Sequence, residues 1–129
     1  MDKLVNFRKT LSELKSFVAI PILTNRDRAG VIQAFEFTFE QAWKSVQRFA
    51  AESGVQVGSP KAAMIFAMQN DILAAADEPT WLQLLKDRNL TTHTYQEELA
   101  REILGRITAN YIGLFEGLLR KLASESPSS

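Results

Sequence analysis

Four residues in the stretch RNLTTHTYQE, Arg88 to Glu97, have the types and spacing to do chemistry: Arg88, Asn89, His93 and Tyr95. His93 is the one histidine of the chain. Arg88 falls near the end of one expected helix and His93 just before the next, so the turn between them brings the two side chains to one spot. The free N–H groups of a helix start attract anions and disfavour imidazolium, which makes His93 a neutral proton acceptor beside an arginine suited to grip phosphate. Cleavage of a phosphodiester through its 2′-hydroxyl needs one group to remove a proton and another to supply one. A single chain offers one imidazole, so catalysis would require a two-fold dimer to bring the second. The competing reading is that Arg88, Asn89, His93 and Tyr95 cap helices and hydrogen-bond the turn. Both readings stay open on these residues alone.

Other chemistries are excluded more firmly. There is no cysteine, so disulfides, thiolate nucleophiles and thiolate metal sites are absent together. No HExxH, EF-hand or P-loop spacing is present, and no Asp-x-Asp pair of the kind used in two-metal phosphoryl transfer, so neither a metal nor a cofactor is expected and the chain is not expected to be a transferase by itself. Fifteen basic and fifteen acidic residues cancel, which argues against sequence-blind binding of nucleic acid. Glu36 and Glu40 lie four apart, but Glu40 followed by Lys44 is the favoured order for an intrahelical ion pair, and a solvated helix edge is preferred over an acid and base pair. Phe37 projects opposite the apolar arc around it, so a second layer of the fold or another chain must cover it. Glu36, Phe37, Glu40 and Lys44 together form a candidate partner interface.

The elements that position these residues are helical. Leu4, Phe7, Leu11, Leu14 and Val18 recur at three and four residues and predict a helix over about 2–17. FEFTFEQAWK alternates like a strand, yet Ile32, Phe35, Phe39, Ala42, Trp43, Val46 and Phe49 share a narrow arc at about 100° per residue, predicting one long helix over about 26–53 that ends before Gly54. Ser59 and Pro60 open a shorter helix ending near Asn70, and Pro79 opens another ending near Asn89. Thr94 and Glu97 match a capping box, so the last helix is expected to start at about Tyr95 and run through Leu99, Ile103, Ile107, Leu114, Leu118 and Leu122. Gly105, Ala109, Gly113 and Gly117 recur every four residues along it and predict a close helix contact, with packing inside the fold favoured over a dimer two-fold. These elements predict an all-α, four-helix-type up-and-down bundle with an additional short helix over residues 1–123, and a disordered tail over 124–129. No apolar run approaches the roughly 20 residues of a membrane span, and a location in the cytoplasm is expected.

RNLTTHTY resembles the motif of arginine, four residues, histidine, one residue, tyrosine that marks the HEPN superfamily of small helical bundles. FEFTFEQAWK resembles the second-helix signature of one branch, the nucleotidyltransferase substrate-binding protein family, and the likeness extends from the first helix through SPKAAMIFAM and W..LLKDRN to the last helix. It implies a homodimer that pairs with a separately encoded minimal nucleotidyltransferase and binds a nucleotide or presents a substrate to it, with Arg88, Asn89, His93 and Tyr95 as the contact pocket. In the neighbouring toxin branch the residues matching Arg88 and His93 form a metal-independent ribonuclease centre. The tyrosine matching Tyr95 is there adenylylated by the partner, which implies the alternative of an RNA-cleaving toxin.

Overall fold

A computed structural model describes residues 3–125 of the chain. The elements are α1 (Val5–Val18), α2 (Asn25–Glu52), α3 (Pro60–Gln69), α4 (Glu78–Leu90), α5 (Glu97–Arg106) and α6 (Ile112–Glu125), with short 3-10 turns at Ala75–Asp77 and Thr91–His93 and a π-helical segment at Ile107–Tyr111 that joins α5 to α6. Every described element is helical, and they form an all-α bundle.

Local chemistry sets the helix starts. Thr24 and Asp27 form a reciprocal capping box for α2: the Asp27 N–H donates to Thr24 Oγ1 at 3.1 Å, while Asp27 Oδ2 accepts the Leu23 and Thr24 N–H groups at 2.9 and 3.0 Å. Those backbone bonds hold the Asp27 carboxyl below its ordinary range. The helix ends just before Gly54, whose φ of 81° suits a residue without a side chain. The strand-like alternation of Phe35, Phe37 and Phe39 dissolves here, because Phe35 and Phe39 are buried while Phe37 is 53% exposed. Ser59 accepts the Ala62 N–H at 3.1 Å and starts α3, with Pro60 at its first position.

The last helix departs from expectation in three respects. It starts at Glu97, not Tyr95, and the Thr94–Glu97 capping box does not form: the Thr94 hydroxyl donates to the Thr91 carbonyl at 3.0 Å, and Gln96, at the N-cap of α5, makes no side-chain capping bond. The cause is the 3-10 turn after Leu90, which carries the chain onward until the Gln96 N–H meets the His93 carbonyl at 3.0 Å. The helix runs through Ser124 and Glu125, two residues of the expected tail, while residues 126–129 lie outside those described. Its middle is also π-helical. Ile103, Ile107, Tyr111 and Phe115 are all fully buried at intervals of four. An α-helix overshoots by roughly 40° at each such step, so three steps would swing the stripe through about 120°, and a wider turn brings it back onto the core.

That stripe completes the core. Helices α1 and α2 pack on each other and both on α6, while α3 and α5 also pack on α2. Phe35 stacks on Tyr111 at 5.7 Å, and Phe115 sits among Phe7, Phe35 and Trp81 with ring centroids 6.1–6.4 Å away. Each buried aromatic contributes about 1.5–3 kcal/mol from removal of its surface from water. The close packing expected inside the fold at the small-residue stripe is not there. A methyl added at Gly105 or Gly113 would meet nothing within 4 Å, and at Gly117 only the Arg120 side chain at 3.9 Å. Gly105 is two residues from Ile103, about 200° around the helix, so the stripe faces away from the core. Ala109, Gly113 and Gly117 line an open groove of about 690 Å³ instead.

Candidate functional site

The end of α4 places two neighbouring residues in opposite surroundings. Trp81, Leu84, Asp87 and Thr91 follow one another at three and four residues and all are buried, so Asp87 lies on the core stripe of the helix although its type reads as solvated. Its carboxylate takes Arg106 Nε and Nη2 at 2.6 and 2.9 Å, Gln83 Nε2 at 3.2 Å, and the Tyr111 hydroxyl. Burial alone would raise the Asp87 carboxyl, but the bonds from Arg106 and Tyr111 outweigh it and hold the group below its ordinary value. The same cluster pushes Tyr111 upward, through burial first and its bond to Asp87 second, and raises Arg106 through its bond to Asp87. The π segment delivers Tyr111 to this cluster, so the carboxylate ties the end of α4 to the middle of the last helix.

Arg88 turns the other way, toward α2. Its Nη2 lies 3.5 Å from Glu40 Oε1, and its guanidinium carbon is 5.7 Å from the centre of the Phe39 ring. Glu40 also faces Lys44, Nζ to Oε2 at 3.6 Å, in the intrahelical pair that the spacing predicts. The Thr91 hydroxyl lies 2.7 Å from the Arg88 carbonyl and 3.2 Å from Glu36 Oε2. Glu36, Glu40 and Lys44 therefore stand beside Arg88 and not on a separate surface. Phe37 is left half exposed by the bundle, which removes a second internal layer as the cover for it.

His93 and Tyr95 form the other part of the site. His93 closes the 3-10 turn and is exposed, as is Asn89. Tyr95 is 78% exposed, and its ring meets the His93 ring edge to face at 6.1 Å. The turn thus joins two clusters: Arg88 with Glu40 and Phe39, and His93 with Tyr95. Tyr95 lies ahead of α5 and not in its first turn, which corrects the expected placement. Because Glu40 already faces the Arg88 guanidinium at long range and in partial exposure, a bound anion would compete with a weak pair. Among the described residues no three carboxylate or imidazole side chains gather where they could hold a metal ion, and no helix is long and apolar enough to cross a membrane.

Arg28, Asp87, Arg106 and Tyr111, all buried or half-buried, had escaped the sequence reading. Asp87 and Arg28 carry a signal in hindsight, since each continues an apolar stripe, Leu84 to Asp87 and Arg28 to Val31 and Phe35. Arg106 gives none, because its pairing depends on tertiary packing.

Comparisons with known proteins supply one family and one solved structure. Residues 2–124 match the model of a family described as nucleotidyltransferase substrate binding protein like. A crystal structure of a protein from Thermus thermophilus superimposes with a TM-score of 0.82 and 35% sequence identity, over 90% of this chain and 98% of that one. No curated protein matches the chain.

Proposed function

This chain belongs to the nucleotidyltransferase substrate-binding-like family, and from that premise we propose that it is the partner subunit of a separately encoded minimal nucleotidyltransferase, not a transferase itself. It works in the cytoplasm as a homodimer and binds a nucleotide, or presents a substrate, through Arg88, Asn89, His93 and Tyr95. Glu36, Phe37, Glu40 and Lys44 form the contact with the partner.

The observation that carries this reading is the combination of exposure and anchorage at the end of α4. Tyr95 presents its ring to solvent against that of His93, while the residue before Arg88 is fixed from inside by three side chains. A recognition surface needs such a pairing, since polar contacts held on a rigid element lose less entropy on binding. Phe37, a large exposed ring beside Glu36 and Glu40, is the kind of residue that another chain covers.

Co-purification with a small nucleotidyltransferase encoded beside this chain tests the proposal. We expect a stable complex, weakened by Phe37→Ala and by Glu40→Ala; no complex, or one indifferent to both changes, would refute it. A second reading is favoured by the edge-to-face pair of His93 and Tyr95 at the surface, which leaves an imidazole free to take a proton and a phenol open to adenylylation. In that reading the chain is a metal-independent ribonuclease toxin with Arg88 and His93 as catalytic residues, silenced at Tyr95 by its partner. RNA cleavage in EDTA that disappears in His93→Ala would select it, and inert wild-type protein would dismiss it.

A further inference from the structure

The outer side of the last helix carries a pattern that folding of the single chain does not use. Gly105, Ala109, Gly113 and Gly117 stand in line there, two positions on from the buried stripe that runs from Ile103 to Phe115. The π segment that keeps the core residues on one face therefore keeps the small residues on the other. Glycine costs a helix stability relative to alanine. Nothing within the chain offsets that cost, since a methyl at Gly105 or Gly113 would meet no atom within 4 Å. Gly105, Ala109 and Gly113 are exposed, and from Ala109 onward the stripe borders the groove that it shares with residues 71–75.

Opposite charges bound the stripe. Glu102 lies one turn before Gly105 and Arg120 one turn after Gly117, and both are exposed. Among the described residues neither has an ion-pair partner. Arg120 instead lies across Gly117, its Nη2 3.9 Å from where a methyl would stand. The neighbouring cations are answered on their own helix, Arg101 by Glu97 at 2.7 Å and Lys121 by Glu125 at 3.4 Å. The order along the helix is self-complementary: Glu102 with Arg120, Gly105 with Gly117, and Ala109 with Gly113 are each centred on Tyr111. Two such helices laid antiparallel about a two-fold axis at the level of Tyr111 put small residue against small residue throughout, and a carboxylate against a guanidinium at both ends. With no bulky side chains between them the axes can approach to about 8 Å, the close end of the range for packed helices.

We propose that this face is the contact between two copies of the chain: the stripe of one last helix packs on the stripe of the other, and Glu102 pairs with Arg120 across both ends. The inference rests on the homodimer of the proposed function and gives it a face. A second copy fits better than an unrelated helix, because the stripe supplies at its own opposite end the charge that each end lacks.

The test is sedimentation velocity of the purified full chain, without any transferase, over a range of concentrations, with circular dichroism to confirm that each variant is folded. Wild type is expected to dimerise. Glu102→Arg and Arg120→Glu each set like charges face to face at both ends, and each should weaken the dimer about tenfold, the effect of turning two exposed attractions into repulsions. The double variant restores opposite charges in the reverse sense, so it should return to within about threefold of wild type. Gly113→Leu, at an exposed position, should weaken dimerisation about a hundredfold by wedging the helices apart. Alanine there repeats the size of Ala109 across the axis and is accommodated. A chain that stays monomeric would overturn both the homodimer and this face. A dimer indifferent to Gly113→Leu and to the charge reversals, or a double variant no tighter than the single ones, would overturn this face and leave the homodimer of the partner reading intact.

Discussion

Asp87 and Arg88 are consecutive, oppositely charged, and each is paired, yet the two pairs belong to different physical regimes. Asp87 is completely buried and bonded to three side chains, two of them from beyond its own helix. Arg88 and Glu40 are each about one-third exposed and meet at 3.5 Å. Removing a partner from a desolvated pair strands a charge that has lost its water, whereas an exposed pair that is broken regains hydration. The comparison separates scaffold from the proposed recognition surface: the first ion cluster holds α4 in place, and the second leaves a guanidinium partly exposed to solvent.

The sharpest way to break this contrast is Asp87→Ala. It leaves Arg106 and Tyr111 facing an empty site, and a loss of about 3–5 kcal/mol is expected, measured by urea unfolding at neutral pH. A loss as small as that of a surface change would mean that the buried cluster contributes nothing beyond a surface pair. Acid provides a second approach. The Asp87 carboxyl lies below its ordinary value of 3.8 in the folded chain, so the unfolded state takes up its proton first as pH falls. The contribution of Asp87 is therefore complete above about pH 4 and declines as pH drops through the depressed folded value. Comparing wild type with Asp87→Asn between pH 6 and pH 3, the gap in stability should narrow toward the acid end. A constant gap would show that the carboxylate is not what the cluster stabilises.

These same residues mark the boundary of what could be read in advance. Helix α2 was legible because its apolar arc is long and it ends beside a glycine. Its start at Asn25 follows from Thr24 and Asp27, the same motif type that was expected at Thr94 and Glu97, where the turn after Leu90 instead occupied the Thr94 hydroxyl. Local motifs fix a helix start only when the preceding chain leaves the capping residue free. The surface part of the candidate site was legible because Arg88, His93 and Tyr95 lie within one short stretch. The buried part was not, since Asp87 and Arg106 are separated by 19 positions and charged types read as solvated until packing brings them together. Tyr111 was passed over because successive four-residue intervals drift off one face of a regular α-helix, and the π turn that brings Tyr111 back is a tertiary compromise.

The groove along Gly113 offers a milder comparison with the core stripe on the opposite side of the same helix. A methyl group at Gly113 meets no atom within 4 Å, and a helical glycine carries a cost of roughly 0.5–1 kcal/mol relative to alanine. Gly113→Ala should thus stabilise the isolated chain by about that amount in thermal unfolding. If instead it destabilised the protein or shifted its oligomeric state, the groove would be covered by another chain in solution, and the stripe would be the close contact its spacing predicts, made between molecules.

The smallest effect on stability is expected from Glu40→Gln, which sharpens the contrast from its exposed side. Both ion pairs of Glu40 are long, 3.5 Å to Arg88 and 3.6 Å to Lys44, and partly solvated, so their loss should change unfolding free energy by no more than about 0.5 kcal/mol. Its effect on recognition should be larger than its effect on folding. With the carboxylate gone, Arg88 keeps its place over Phe39 and gains freedom to meet an external anion, so phosphate should perturb the Arg88 side-chain resonance at lower concentration in Glu40→Gln than in wild type. A substitution that destabilised the bundle by several kcal/mol while leaving that resonance unmoved would place Glu40 with the scaffold, and the division between the two sides of α4 would have to be redrawn.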